Sequence, residues 1–147
     1  FKQYQAKSKT SEAKLQLASI YSAETALMSD WDNFGTCLVD MGYSVAARGY
    51  YVIGFNAAST ANTTINNNGG TCASTHQLPP GTTGTLVSVK GTTSSFANLT
   101  ALMVVPADGS AFLAGAAGKI SADTGATVMD TWTIDEDKTL TQTIRGY

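Results

Sequence analysis

A hydrolytic centre would need a nucleophile, a base and an orienting acid within reach of one another. His76, the single histidine, sits in a polar stretch beside Ser74 and Thr75, where a solvated loop residue is the default reading. The chain is therefore read as a non-enzyme without a cofactor. Asp123, Asp130, Asp135 and Asp137 are the carboxylates that could offer oxygen ligands to calcium. They lack EF-hand spacing, and solvated turns account for them more simply. Cys37 and Cys72 are the only cysteines and have no metal-ligand spacing. A structural disulfide between them is expected, which implies an oxidising compartment; two buried thiols are the alternative.

Those groups sit in a chain of 147 residues, the size of one domain, with 43% apolar content, enough for one core. Charged residues make up 14%, against about a quarter in ordinary domains. After the first thirty residues Thr, Ser, Asn, Gly and Ala dominate, a profile suited to strands and loops at a cell exterior. A net charge of −2 gives no basic field to displace counterions from phosphates, which argues against general nucleic-acid binding. No run approaches the roughly 18 apolar residues of a membrane span.

Residues 1–30 contain neither Gly nor Pro and read as one helix. Ala13, Leu17, Ile20, Leu27, Met28 and Trp31 recur at three- and four-residue steps, a stripe that can pack on a sheet. Glu24 falls near the centre of that stripe and must find donors there; backbone N–H groups of the connecting region, or Arg48, are the candidates. The opposite face carries Ser11, Leu15, Ala18, Ser22, Ala26 and Ser29, small and nearly uncharged, so a second helix could pack closely on it; a bland solvated face is the alternative. Lys2, Lys7 and Lys9 crowd the positive end of the macrodipole, and no capping residue precedes Phe1. Both features suit a helix that continues upstream.

Beyond Asp32, Asn33 and Gly35, which supply stop and turn chemistry, residues 36–84 are expected to form a connecting strand and loop region, and 85–147 an antiparallel sheet. Strand signals fall at 50–55, expected to be a central strand, then at 85–90, 102–105, 111–120, 130–134 and 139–144. Residues 56–84 read as a long polar loop that needs an anchor, which a Cys37–Cys72 bond would provide. Residues 135–138 suit a turn joining the last two strands, in which Leu140 and Ile144 alternate with threonines to give an apolar and a polar face. The expected fold class is α+β, one domain with a long N-terminal helix on an antiparallel sheet whose other face is wet. Two sequons, Asn62-Thr63-Thr64 and Asn98-Leu99-Thr100, allow glycosylation.

Residues 4–13 (YQAKSKTSEA), continuing through 20–24 (IYSAE), resemble the segment of type IV pilins that follows their hydrophobic N-terminal helix. Residues 50–55 (YYVIGF) are similar to their first strand. Residues 112–118 (FLAGAAG), 130–135 (DTWTID) and 138–140 (KTL) resemble the closing strands of bacterial pilins and secretion-system pseudopilins. The resemblance implies the soluble head of a subunit made as an inner-membrane precursor. Such a precursor is trimmed by a prepilin peptidase and handled by the pilus assembly machinery. It self-associates into a helical cell-surface filament serving adhesion, motility or DNA uptake. Without the upstream helix the head is expected to be monomeric. In many pilins the disulfide closes a loop near the C-terminus, whereas Cys37 and Cys72 lie in the first half. A minor pilin, a secretion pseudopilin of the calcium-binding kind, and a surface binding domain that makes no filament stay open as alternatives.

Overall fold

Nothing in the first thirty residues interrupts a helix, and α1 runs over Lys2–Trp31. In the computed structural model, residues 2–43, 50–73, 76–78, 86–89, 92–95, 99–121 and 129–147 are described. The buried positions of α1 are Ala6, Thr10, Ala13, Leu17, Ile20, Glu24 and Leu27. Their alternating steps of four and three make one narrow stripe, which packs on the sheet from Ala6 to Ile20 and against the disulfide and Ile65 at Leu27. Met28 and Trp31, expected within the stripe, are half-buried. The helix stops where Asp32 takes a left-handed conformation, φ 53°, its N–H donating to the Met28 carbonyl at 2.8 Å.

The stripe lies on a five-stranded antiparallel sheet of order β2-β1-β5-β6-β7. Its strands are β1 (Val52–Gly54), β2 (Gln77–Leu78), β5 (Leu113–Gly118), β6 (Asp130–Asp135) and β7 (Leu140–Ile144). A separate hairpin pairs β3 (Leu86–Val89) with β4 (Thr92–Ser95). The fold is thus α+β, as its composition and periodicity predict. β1 is interior and buried on both faces, as expected, although only three residues of 50–55 are strand. Small residues on β5, Ala114 and Ala116, let α1 approach closely, and Phe34, Phe55, Phe112 and Ile134 fill the space around them.

Several expectations are corrected. Residues 102–105 are not a strand: they form a turn segment that crosses the far face of the sheet and end at Pro106. Its Met103 and Val104 carbonyls accept the N–H groups of Asn56 and Leu113, and Met103 packs with Val52, Leu99 and Ala117. Any side chain at Gly115 would collide with Met103. The far face is therefore partly covered rather than wet. The polar stretch 56–84 is not structureless, because α2 (Ala61–Asn67) and β2 form inside it. Asn and Thr are poor helix formers, and α2 is held by burying Ala61, Asn62 and Ile65. Finally, Leu140 and Ile144 do not share a face. Leu140 pairs with Ile134 and Gln142 with Trp132, but a register shift then pairs Ile144 with Thr131. The extra residue turns Ile144 to the far face, and both side chains are exposed. The 135–138 turn is present, with Lys138 at φ 62° and its N–H donating to the Asp135 carbonyl.

One polar side chain, expected in a solvated turn, is instead fully buried between sheet and C-terminus. Asp130 Oδ2 accepts the Tyr51 hydroxyl at 2.6 Å and the Trp132 indole N–H at 2.7 Å. Its Oδ1 accepts the Gln142 amide at 2.7 Å and the Gly146 N–H at 3.1 Å. Burial, reinforced by this bond, holds the Tyr51 phenol far above its ordinary range. One carboxylate thus ties β1, β6, β7 and the C-terminal residues together. Asp130→Ala strands four donors, three of them buried, and is expected to cost about 3 kcal/mol or more, Tyr51→Phe about 1–2 kcal/mol. Urea unfolding measures both, and an unchanged midpoint for Asp130→Ala would contradict the assignment.

Candidate functional site

The outer face of α1 is open along its length: Ser11, Leu15, Ala18, Ser22, Ala26 and Ser29 are all exposed, Leu15 by 65%. The hydroxyls of Ser11 and of its neighbours Ser19 and Thr25 fold back onto the helix. Ser11 donates to the Ser8 carbonyl, Ser19 to Leu15 and Thr25 to Tyr21. Charged side chains on the flanks turn toward the sheet. Lys14 lies over the Trp132 ring at 5.1 Å, Lys9 donates to the Ile120 carbonyl at 3.2 Å, and Glu12 accepts the Tyr50 N–H at 2.9 Å. What remains outward is uncharged and, apart from Leu15, small, a surface on which another helix backbone can approach closely.

The same helix holds an unusual group on its inner side. Glu24 is fully buried in the core stripe. As expected, it finds a backbone donor in the connecting region: its Oε2 accepts the Gly35 N–H at 3.3 Å. Its Oε1 has no partner among the described residues, and Arg48, the other expected donor, lies outside them. Burial holds this carboxyl well above its ordinary range, the Gly35 bond offsetting only part of the effect. Gly35 sits in a tight place, since a Cβ there would stand 3.0 Å from Asn62 Oδ1 and from Ile65, and those side chains would have to give way.

Around Gly35 the post-helix segment is sewn to α2. Cys37 and Cys72 form the expected disulfide, Cα atoms 5.1 Å apart, packed with Leu27 and Ile65. The Thr36 N–H donates to Asn62 Oδ1 at 2.8 Å and Asn62 Nδ2 to the Thr36 hydroxyl at 2.9 Å. Asn33 Nδ2 bonds the Phe34 and Ala61 carbonyls at 2.9 Å each. The Asn62 sequon is therefore occupied by its own fold, its amide buried and committed, while Asn98 lies outside the described residues.

The remaining sequence candidates do not assemble into chemistry. His76 is half-buried, and burial lowers its pKa, partly offset by a bond to the Asn56 backbone. Its own carbonyl accepts the Phe55 N–H, a β1 edge contact. Ser74 and Thr75 lie outside the described residues, as does Asp123. Asp135 Oδ1 accepts the Asp137 and Thr139 N–H groups within its turn. Among the described residues no three His, Cys, Asp or Glu side chains come together as a metal site, and no helix is long and apolar enough to cross a membrane. Sequence reasoning missed a groove of about 270 Å³ on the far face, lined by Leu102, Met103, Leu113, Thr131, Thr133 and Ile144 among others. It depends on the register shift in β7 and on the 99–105 crossing, neither of which leaves a local sequence signal.

Two measurements follow. Glu24 has a folded pKa above its unfolded value, so the native state binds the extra proton between the two. Stability is then highest in acid and falls as pH rises from about 4.3 through the folded pKa, by up to about 1.4 kcal/mol per pH unit. Glu24→Gln should remove that component and be the more stable protein at neutral pH. Equal pH slopes for the two proteins would show that the carboxyl is solvated. For the disulfide, which spans a separation of 35 residues, reduction is expected to cost about 3–4 kcal/mol. Hydrogen exchange should show α2 opening before β5 and β6; loss of the sheet first would contradict the clamp.

No protein-family model matches the chain, and no curated protein matches it either; its functional reading rests on its own residues.

Proposed function

We propose that the chain is the head domain of a type IV pilin, a structural subunit that assembles into a cell-surface filament for adhesion, motility or DNA uptake. The observation that carries this reading is the division of α1 into two faces. One is buried from Ala6 to Leu27; the other, Ser11 to Ser29, is exposed and uncharged, with Leu15 its one large side chain. A helix that faced only water would gain solubility from Lys and Glu on that side. A helix destined for the centre of a fibre loses free energy for each charge it carries there.

The resemblance of residues 4–13, 20–24, 50–55, 112–118, 130–135 and 138–140 to pilin segments supports the same reading, as do the long N-terminal helix, the antiparallel sheet and the disulfide-clamped loop. In this scheme a hydrophobic helix upstream of Phe1 anchors the precursor in the inner membrane, with the head in the periplasm, and then packs with α1 of neighbouring subunits. The family's processing glycine and helical glutamate belong to that upstream segment. Partners are other copies of the subunit and the assembly machinery.

Ala18→Glu and Ser22→Lys place a charge on the open face without touching the core. Each is expected to leave the isolated head folded, within about 0.5 kcal/mol of the parent, and to abolish fibres on cells expressing the full-length gene. Electron microscopy reads the outcome. Normal fibres containing the substituted subunit would refute the buried face, and absence of fibres from the unsubstituted gene would favour the minor pilin or pseudopilin reading.

A further inference from the structure

The buried carboxyl of Glu24 and the Cys37–Cys72 bond meet at Gly35. Its N–H is the one donor to Glu24 among the described residues, and a Cβ on it would stand 3.1 Å from Cys72 Sγ. Cys37 follows two residues later, and Thr36 between them is tied to Asn62 of α2 through its N–H and its hydroxyl. Residues 68–72 close the other side of the junction: Asn66 bonds both the N–H and the carbonyl of Cys72, and a Cβ at Gly70 would strike Trp31 and Ile65. The sulfurs are sealed, Cys37 being 0% and Cys72 1% exposed, and Glu24 is sealed with them at 0%. A thiol reaches the bond only when this junction opens, and moving Gly35 aside to bare Cys72 Sγ also uncovers Glu24.

The elements around Glu24 offer its charge nothing in place of water. Neither α2 nor β5 carries a charged residue. On β6, Asp130 is held by Tyr51, Trp132 and Gln142, and Asp135 by its own turn. In the post-helix segment Asp40 accepts the Ala73 N–H, and the Tyr43 hydroxyl donates to Gln16. Asp108 is bonded by Ser110, and Glu136 accepts the Phe112 N–H. On α1 itself Tyr21 lies against Phe112, and the nearby cation, Lys138, is drawn over the Tyr21 ring. Glu24 therefore holds its proton more tightly while the junction is closed than when it is wet.

We propose that Glu24 and the Cys37–Cys72 bond form one proton-coupled redox latch: a dithiol that reduces the bond also sets Glu24 free to ionise, so the latch closes on oxidation in acid and opens more readily as pH rises. In the exchange the dithiol's two sulfurs are oxidised and join, the bond between Cys37 and Cys72 breaks, and the dithiol's two protons pass to the two cysteine sulfurs. One further proton leaves Glu24 for water. α2 is the element that lets go, because its Asn and Thr are poor helix formers and its buried residues are Ala61, Asn62 and Ile65. The cost of reduction and the pH slope of stability could each exist without the other; the latch requires that they be linked. It concerns the inner side of α1 and stands or falls apart from the filament proposal.

The test equilibrates the whole oxidised chain with mixtures of reduced and oxidised dithiothreitol from about pH 5 to about pH 7.5, where cysteine thiols stay protonated. Acid quenching and mass spectrometry then give the reduced fraction. An ordinary disulfide exchanges with a dithiol without net proton change, so its exchange constant is flat. For the parent chain the extra proton should raise that constant by up to about tenfold per pH unit between about 4.3 and the pKa of the closed state, and by at least about tenfold over the range. Glu24→Gln, whose amide has no proton to release, should be flat. Infrared difference spectra of the parent at about pH 6, between its two redox states, give a readout that needs no variant: the carbonyl stretch of a protonated carboxyl should be lost on reduction. A flat parent, an equal rise in both proteins, or a carboxyl band unchanged by reduction would overturn the latch.

Discussion

The structure depends on how a long helix is held along one narrow line. A helix of 30 residues is about 45 Å long, more than twice the length of the strands beneath it, and no single large side chain could fix it. Small and medium side chains at steps of four and three do so instead. Ala6, Ala13, Leu17 and Ile20 meet the alanines of β5 and the aromatic cluster of Phe34 and Phe112, and Leu27 meets the disulfide and Ile65. Because this seam is narrow, two thirds of the helix circumference is left for other purposes. The flanks send their charges inward to the sheet rims, and the outer strip keeps none.

The cost of the arrangement falls on Glu24 and the segment after the helix. A carboxyl in the seam with a single donor at 3.3 Å among the described residues is poorly solvated, and its neighbourhood is heavily cross-tied. The disulfide, the Thr36–Asn62 pair and the two Asn33 bonds all converge there. A polar loop that cannot build a core of its own is thus given order by covalent and hydrogen-bonded ties. The sheet end has its counterpart in Asp130, which gathers four donors from β6, β7, the residue before β1 and the C-terminal residues.

Where signals are local and periodic, the sequence is readable. α1 follows from its apolar spacing and the absence of Gly and Pro, the β6–β7 turn from Asp135 to Lys138, and the disulfide from the presence of two cysteines. Where tertiary contacts decide, it is not. α2 has the composition of a loop and is helical because Ile65 and Asn62 are buried against Gly35 and the disulfide. Residues 102–105 look like a strand but spend their carbonyls on Asn56 and Leu113 from outside any ladder. The alternation of Leu140 and Ile144 is real in sequence and undone by one extra residue in the pairing. Asp130 resembles its turn neighbours Asp135 and Asp137, and only the convergence of Tyr51, Trp132, Gln142 and Gly146 distinguishes it. The outer face of α1 was legible as a composition, while the inward folding of Lys9, Glu12 and Lys14 that leaves it uncharged was not.

The central claim is that this outer face is exposed in the single domain and buried in the assembled state. Thiol accessibility tests it directly, since Cys37 and Cys72 are bonded to each other and unreactive. Ser22→Cys, with Thr63→Cys on the exposed side of α2 as the reference, can be treated with a maleimide in the isolated chain and in material sheared from the surface of cells expressing the full-length gene. The account predicts rapid labelling of both positions in the isolated chain, and protection of Ser22→Cys but not Thr63→Cys in the surface material. Equal labelling of Ser22→Cys in both states, with the surface material intact, would contradict it.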